Sequence, residues 1–241
     1  MKADLNPAFI LHRRPYRETS YLLDIFSREY GRISLVAKGI RKKGSAKAGL
    51  LQPYQRLLLS WSGKTDLMNL VNAEPDKNAY NLKNEKLLTG FYINELITRI
   101  LHRHEAHPDL FDSYDEILQQ LSEGITDARC LIRIFEKRLL EATGYGLVLD
   151  RDVDTGKPVE PDTFYYYQAE HGPSVREPGT RDFQKISGRT LIELNHERIL
   201  TTEVMQEAKL LMRYVLHKHL GARPLASRSL YKSYLDNFNT K

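Results

Sequence analysis

The hydrophobic pattern of this chain changes period once, near residue 80, and that change limits the folds open to it. Before it, short apolar stretches alternate with period two: AFILHRR (8–14), SYLLDIFS (20–27), RISLVAKG (32–39), LLQPYQRLLLSW (50–61) and TDLMNLVNA (65–73). Gly, Pro or charged turns separate them, which is the pattern of a small antiparallel barrel. Five strands in this length fit an OB-type barrel, although strand number alone leaves an SH3-like barrel open. After residue 80 the apolar spacing becomes three to four. Leu88, Phe91, Ile93, Leu96, Ile97, Ile100 and Leu101 form one wide helical face, with Asn84 as its expected N-cap. Further helices are expected over 109–124, stopped by Gly124, and over 126–144, opened by Thr126 or Asp127 and closed by Gly144. Two more span 187–197 and 201–221, and a short one follows Pro224.

The expected fold is therefore α+β. A five-stranded barrel spans residues 1–80, and an all-α domain spans 81–241. An irregular insertion rich in Pro, Gly and Asp, at about 147–184, interrupts the helices, with a hairpin around TFYYYQ. There is one cysteine, Cys130, which suits a reducing compartment. No secretory leader or membrane-length apolar run is visible, so a soluble cytoplasmic protein is expected.

The charge is unevenly placed. Residues 1–80 hold 14 Lys and Arg against 7 Asp and Glu, whereas residues 81–241 hold 22 against 24. The net surplus thus sits on the barrel. Its densest part, VAKGIRKKGSAKAG (36–49), has no carboxylate and reads as a loose cationic loop. A phosphate backbone is a ladder of regular negative charge, and such cations meet its needs even when loosely presented. Arg13, Arg14, Arg17, Arg32, Lys38, Arg41, Lys42, Lys43 and Lys47 form the candidate nucleic-acid-binding set, and composition does not separate DNA from RNA. Aromatic side chains in the same segment offer faces for unpaired bases. Tyr16 and Tyr30, beside turns, are the stacking candidates, and alternation assigns Tyr21 or Phe26 to the barrel core.

Catalytic patterns are weak. There is no phosphate-binding G-x-x-x-x-G-K-[ST] loop, and GYG (144–146) lacks a strand before it and a helix after it. Asp150, Asp152 and Asp154 alternate like a calcium loop, but Thr155 and Pro161 occupy the positions that need glycine and glutamate. A metal-dependent nuclease built on these aspartates, and an RNA-binding barrel, are the alternative readings. His102, His104 and His107 have spacings that diverge on a helix. No cofactor and no metal is implied.

The stretches AFILHRRPYRETSYLLDIF, GRISLVAKGIR, LLQPYQRLLLSWSG, YINELITRIL, GYG and RPLASRSL occur together and in register. In this the chain resembles the bacterial RecO family, and is similar to its enterobacterial type, from about residue 8 to about 235. The resemblance implies an OB barrel and a helical C-terminal domain. It also implies binding of single- and double-stranded DNA, annealing of complementary strands, and work with RecR and RecF to load RecA on coated strands. Many members carry a four-cysteine zinc site after the third helix; this chain has no cysteine there, so that metal is not expected. A last implied contact is with the acidic C-terminal tail of single-stranded DNA-binding protein. Arg129, Arg133 and Lys137 fall at i, i+4 and i+8, beside Phe135 and Leu139, and form the expected tail-binding set, with Arg133 matching a basic position of the enterobacterial type. Lys209 and Arg213 are a second basic ladder. The expectation is a recombination mediator without catalytic turnover.

Overall fold

The computed structural model describes residues 1–41, 47–198, 201–221 and 223–238. It divides into two compact units, Met1–Ile125 with Leu225–Lys241, and Thr126–Pro224.

In the first unit, among the described residues, β1 (Lys2–Tyr16), β2 (Ser20–Ser27), β3 (Gly31–Ala37), β4 (Arg56–Ser62) and β5 (Leu67–Pro75) close a barrel in the order β1-β2-β3-β5-β4. Neighbours run antiparallel except β3 and β5, which pair in parallel over Ser34–Val36 and Leu67–Asn69. This closure settles the choice left by strand number in favour of the OB-type barrel. Strand β1 is far longer than the seven residues its alternation suggests. It pairs with β4 through its first half and with β2 through its second, and register shifts after Ala3 and after Ile10 let it bend between the two. Leu5, at φ 45, marks the first shift.

Alternation sorts the strand residues. Ile10, Leu23, Ile25, Ile33, Leu35, Leu57, Leu59 and Trp61 fill the barrel interior. Phe9 and Phe26 are equally buried but lie outside it, against Phe111 and Tyr114 of a helix. Phe26 is therefore core, though not barrel core. Two helices cover this outer face: α2 (Glu85–Ile100) and α3 (Pro108–Glu123). Ring centroids of 4.9–5.4 Å between Phe9 or Phe26 and the α3 aromatics describe tilted and edge contacts. Each such pair contributes about 0.5–1.5 kcal/mol beyond burial. Tyr114 donates to Asn94 Oδ1 at 2.6 Å, and Asn94 Nδ2 donates to the Leu11 carbonyl at 2.9 Å, tying both helices to β1. The change of period at residue 80 thus marks where strands give way to helices, whereas packing places the edge of the unit at residue 125.

Caps follow the sequence in part. Gly124 ends α3 in the left-handed region at φ 75, as expected of a C-terminal glycine. Asn84 precedes α2 but makes no side-chain cap bond. Residues Lys47–Leu50, read as part of a loose loop, form a helical turn, α1. The final helix, α7 (Ala226–Phe238), belongs to this first unit.

The second unit contains α4 (Ala128–Ala142), β6 (Phe164–Gln168), β7 (Gly172–Ser174), β8 (Gln184–Ser187), α5 (Gly188–Asn195) and α6 (Thr202–Leu220). The hairpin expected around TFYYYQ is the centre of a sheet ordered β7-β6-β8. Asp127 caps α4 by accepting from the Arg129 N–H at 2.7 Å, and Thr143 rather than Gly144 is its C-cap. Tyr165 and Tyr167 are buried under the irregular stretch while Phe164 stays exposed. Among the described residues no helix is long and apolar enough to cross a membrane.

Candidate nucleic-acid interface

Among the described residues, ion pairs and hydrogen bonds divide the basic surplus of the barrel into cations that hold the fold and cations that face solvent. Arg28 is held by Asp112 at 2.8 Å. Arg56 pairs with Asp76 and Asp115, and Lys77 also reaches Asp115. Arg13 donates through Nη1 to the carbonyls of Ala48 and Leu51, pinning α1 to β1. These side chains hold the fold together.

Four others gather around the β1–β2 turn. Arg14, Arg17, Lys38 and Arg41 are exposed. Arg41 is oriented by its backbone N–H and its Nη1, which donate to the carbonyls of Thr19 and Arg17. Its guanidinium lies 5.9 Å from the Tyr21 ring, and that of Arg13 lies 5.1 Å from the same ring. Arg17 stacks on Tyr16 at 5.3 Å. Tyr21 packs on the barrel core from its edge. Tyr30, a stacking candidate by sequence, is turned edge-on to Trp61 at 5.3 Å and packs against the core. Tyr16 remains beside an open surface.

That surface is a groove of about 580 Å³ on the barrel wall. The turn residues Tyr16 to Ser20 form one side, Val36 of β3 and Lys38 just after it the floor, and Leu67 and Asn69 of β5 the other side. It offers an aromatic ring, the cations Arg17 and Lys38, which make no ion pair among the described residues, and hydroxyl and amide groups; Glu18 is the one carboxylate among its described lining residues. Strand ends and turns of an OB barrel place such a groove where an unpaired strand can lie with phosphates on cations and bases on apolar walls. Neither Leu67 nor Asn69 was singled out by sequence, because a groove wall on a half-buried strand carries no compositional signal.

Arg32, the remaining described member of the set, stands apart at the opposite end of β3. Burial, then the nearby charge of Arg103, pushes its guanidinium down from the ordinary value. Lys42 and Lys43 lie outside the described residues, and Lys47 is described only by its backbone, at the start of α1.

In the second unit, the expected tail-binding residues are largely engaged within the fold. Phe135 and Leu139 are fully buried core residues and offer no surface wall. Arg133 pairs with the buried Glu136 at 2.9 Å, and Lys137 bonds the Asn195 carbonyl and Glu197. Arg129 is exposed and chelates Asp127. Lys209 and Arg213 lie exposed on α6. The helical repeat was right, but α4 is buried on nearly all sides, so a shared face is not a solvent face.

The three aspartates do not converge. Asp152 is buried and accepts from the N–H groups of Asp154, Thr155 and Val175 and from Thr155 Oγ1, at 2.7–3.0 Å. Burial alone would raise its pKa, but these donors outweigh it and hold it low. Asp154 instead accepts from Ser174, and Asp150 lies beside Arg151. Asp152 is thus the knot of the irregular stretch. Among the described residues no three His, Cys, Asp or Glu side chains are grouped to hold a metal ion.

Two family models match the chain, Recombination protein O N terminal over residues 1–78 and Recombination protein O C terminal over residues 83–229. Among curated relatives, the DNA repair protein RecO of Nitrosospira multiformis is 41% identical over 97% of this chain and 96% of its own length. Its namesakes in Methylococcus capsulatus, at 41%, and Alkalilimnicola ehrlichii, at 42%, each align with 95% of the chain and cover 93% and 90% of their own lengths.

Proposed function

Because the chain belongs to the RecO family, whose curated members are named DNA repair proteins, we propose that it serves DNA repair as a recombination mediator that binds strands on its barrel and anneals them. The groove bordered by Tyr16, Arg17 and Lys38 is the observation that carries this reading. Two complementary strands repel each other through their phosphates, and cations on one rigid barrel lower that repulsion by displacing condensed counterions. The reading assigns the protein no catalytic turnover. Within it, RecR is a partner, RecA is loaded on strands coated by single-stranded DNA-binding protein, and the acidic tail of that protein is met by the second unit, with Arg129 as the exposed rung of α4. Nucleoid association follows from the same reading.

The test is annealing and binding of complementary labelled oligonucleotides across a salt series. Reversing Arg17 and Lys38 to Glu is expected to weaken single-strand binding. It should flatten the log–log salt slope by about 1.4, at about 0.7 per lost phosphate contact. Trp61, the one tryptophan of the sequence and fully buried in the barrel, should keep its emission. Unchanged slope in the folded variant would remove the groove from the interface. A marked preference for RNA would move the function to 2′-hydroxyl recognition.

A further inference from the structure

The first residues of β3 carry an arrangement of charge that the barrel does not need. Gly31 opens the strand at φ 66, and a Cβ there would lie 1.8 Å from the Glu105 carbonyl oxygen. The chain after α2 therefore passes directly over this end of the strand. The His104 N–H donates to the Arg32 carbonyl at 3.1 Å, and Arg32 and Arg103 are neighbours across a parallel bridge. They sit where β5, which pairs only with Ser34–Val36, does not reach.

Two arginines are thus paired across the bridge, Arg32 half-buried and Arg103 exposed, and the Arg103 charge acts on the Arg32 guanidinium. Neither makes an ion pair among the described residues, and Arg32 Nη1 is buried without a hydrogen-bond partner. Asp24 offsets part of the charge from a distance, and its Oδ1 already accepts from Ser34 at 2.7 Å. Arginine cannot escape such a conflict by losing its proton. Half sunk in protein, the Arg32 charge is also screened less than an exposed one. What restores the balance is an oxyanion shared by both side chains, since a guanidinium fork matches the oxygens of a phosphate.

We propose that Arg32 and Arg103 jointly grip one phosphodiester of a nucleic-acid strand that leaves the groove along β3. The proposal rests on the reading of the groove given above and assigns a residue of the chain after α2, Arg103, to the interface. The geometry supplies the path. Ile33, Leu35 and Ala37 point into the barrel, so Arg32 shares its outward row with Val36, which floors the groove beside Lys38. Lys38 follows the last residue of β3 and lies six positions from Arg32, about 20 Å at about 3.3 Å per residue of extended chain. A strand of a few nucleotides would touch both.

The test uses the full chain and a labelled oligothymidylate, titrated across a salt series with wild type, R32Q, R103Q and the double variant. Each single change is expected to flatten the salt slope by about 0.7, and the double change by no more than the larger single one, because both remove the same phosphate. Additive losses, or unchanged binding in both single variants, overturn the shared grip. Arg103 is exposed, so R103Q carries the test if R32Q fails to fold. Without ligand, R103Q should unfold at a denaturant concentration equal to or above that of wild type, followed at Trp61, since a repulsion has been removed. A lower midpoint would make Arg103 structural and overturn the proposal. Inorganic phosphate at constant ionic strength separates the two sources of oxyanion. If it stabilises wild type over R103Q while oligonucleotide binding is equal, the site takes free phosphate and not a strand. If the Arg17 and Lys38 reversals weaken binding but the Arg32 and Arg103 changes do not, the groove stands and only the grip falls; no binding by wild type removes both.

Discussion

Asp115 shows how one side chain decides which cations of the barrel are free. It lies on α3 with a side chain 9% exposed, and accepts from Arg56 Nη1, Lys77 Nζ and Tyr80 OH at 2.6–2.8 Å. Burial would raise its pKa, but the donors, Lys77 first, outweigh burial and hold it below the ordinary carboxylate value. Asp115→Asn removes the charge that gathers them. An expected loss of about 1–3 kcal/mol follows from leaving the partly buried Arg56 and Tyr80 donors poorly matched, read as a lower urea midpoint at Trp61. An unchanged midpoint would mean that the cluster is solvated and adds nothing to stability. Sequence could not sort these cations. Arg56 and Lys77 look no different in the chain from Arg14 or Lys38, and the acid that engages them lies 59 and 38 residues away. The same blindness made Phe135 and Leu139 read as the walls of a surface pocket. Spacing reports which residues share a helix face, while burial depends on what packs there.

At the scale of elements, the fastening of α7 is the most testable device. The first N–H groups of a helix lack partners within it. Those of Ala226 and Ser227 donate to the Glu95 carboxylate of α2 at 2.8 Å, and Ser227 Oγ adds a bond of 2.6 Å. Tyr231 OH donates to Glu85 at 2.8 Å, one turn further along α7. Burial raises the Glu95 pKa, and the bonds from Ser227 and Ala226 more than reverse this, leaving it lowered. A carboxyl lowered by folding stabilises the fold above its unfolded value, about 4.3. That contribution is lost as pH falls through the folded value. The protection of Ala226 and Ser227 against hydrogen exchange, taken relative to the intrinsic rate at each pH, should therefore fall on acidification below about pH 4, and Glu95→Gln should give much of that loss of protection at neutral pH. Equal protection in wild type and variant would mean that packing alone holds α7. Sequence foresaw a helix after Pro224 and nothing of its anchor. Helix spacing and turn residues are local signals, legible in one strand of text, whereas a cap supplied by a carboxylate 131 residues earlier is not. The length of β1 was missed for a related reason: its irregular first half departs from clean alternation, yet pairs with β4 all the same.

For the molecule as a whole, the chain is organised as first unit, second unit, first unit. The strand-to-helix change near 80 was plain in the sequence, but an apolar helix face does not announce its partner. The aromatic contacts of Phe9 and Phe26 with α3 assign the first helices to the barrel. Residues 126–224, expressed alone, are expected to fold with the sheet around β6 intact, since Asp152, Tyr165 and the bonds of Glu207 to Ser187 and Thr190 all lie within that span. Dispersed amide resonances would agree with this, and a collapsed spectrum would show that the unit depends on the rest of the chain.

This order also has a consequence in time. The ribosome completes the barrel, α2 and α3 first, then must add the 99 residues of Thr126–Pro224 before Leu225 emerges. At about 5–20 residues per second, that is a delay of about 5–20 s. Through that interval the nascent barrel waits with Glu95 bare and the α7 seat empty, so the second unit has time to fold before the first can close.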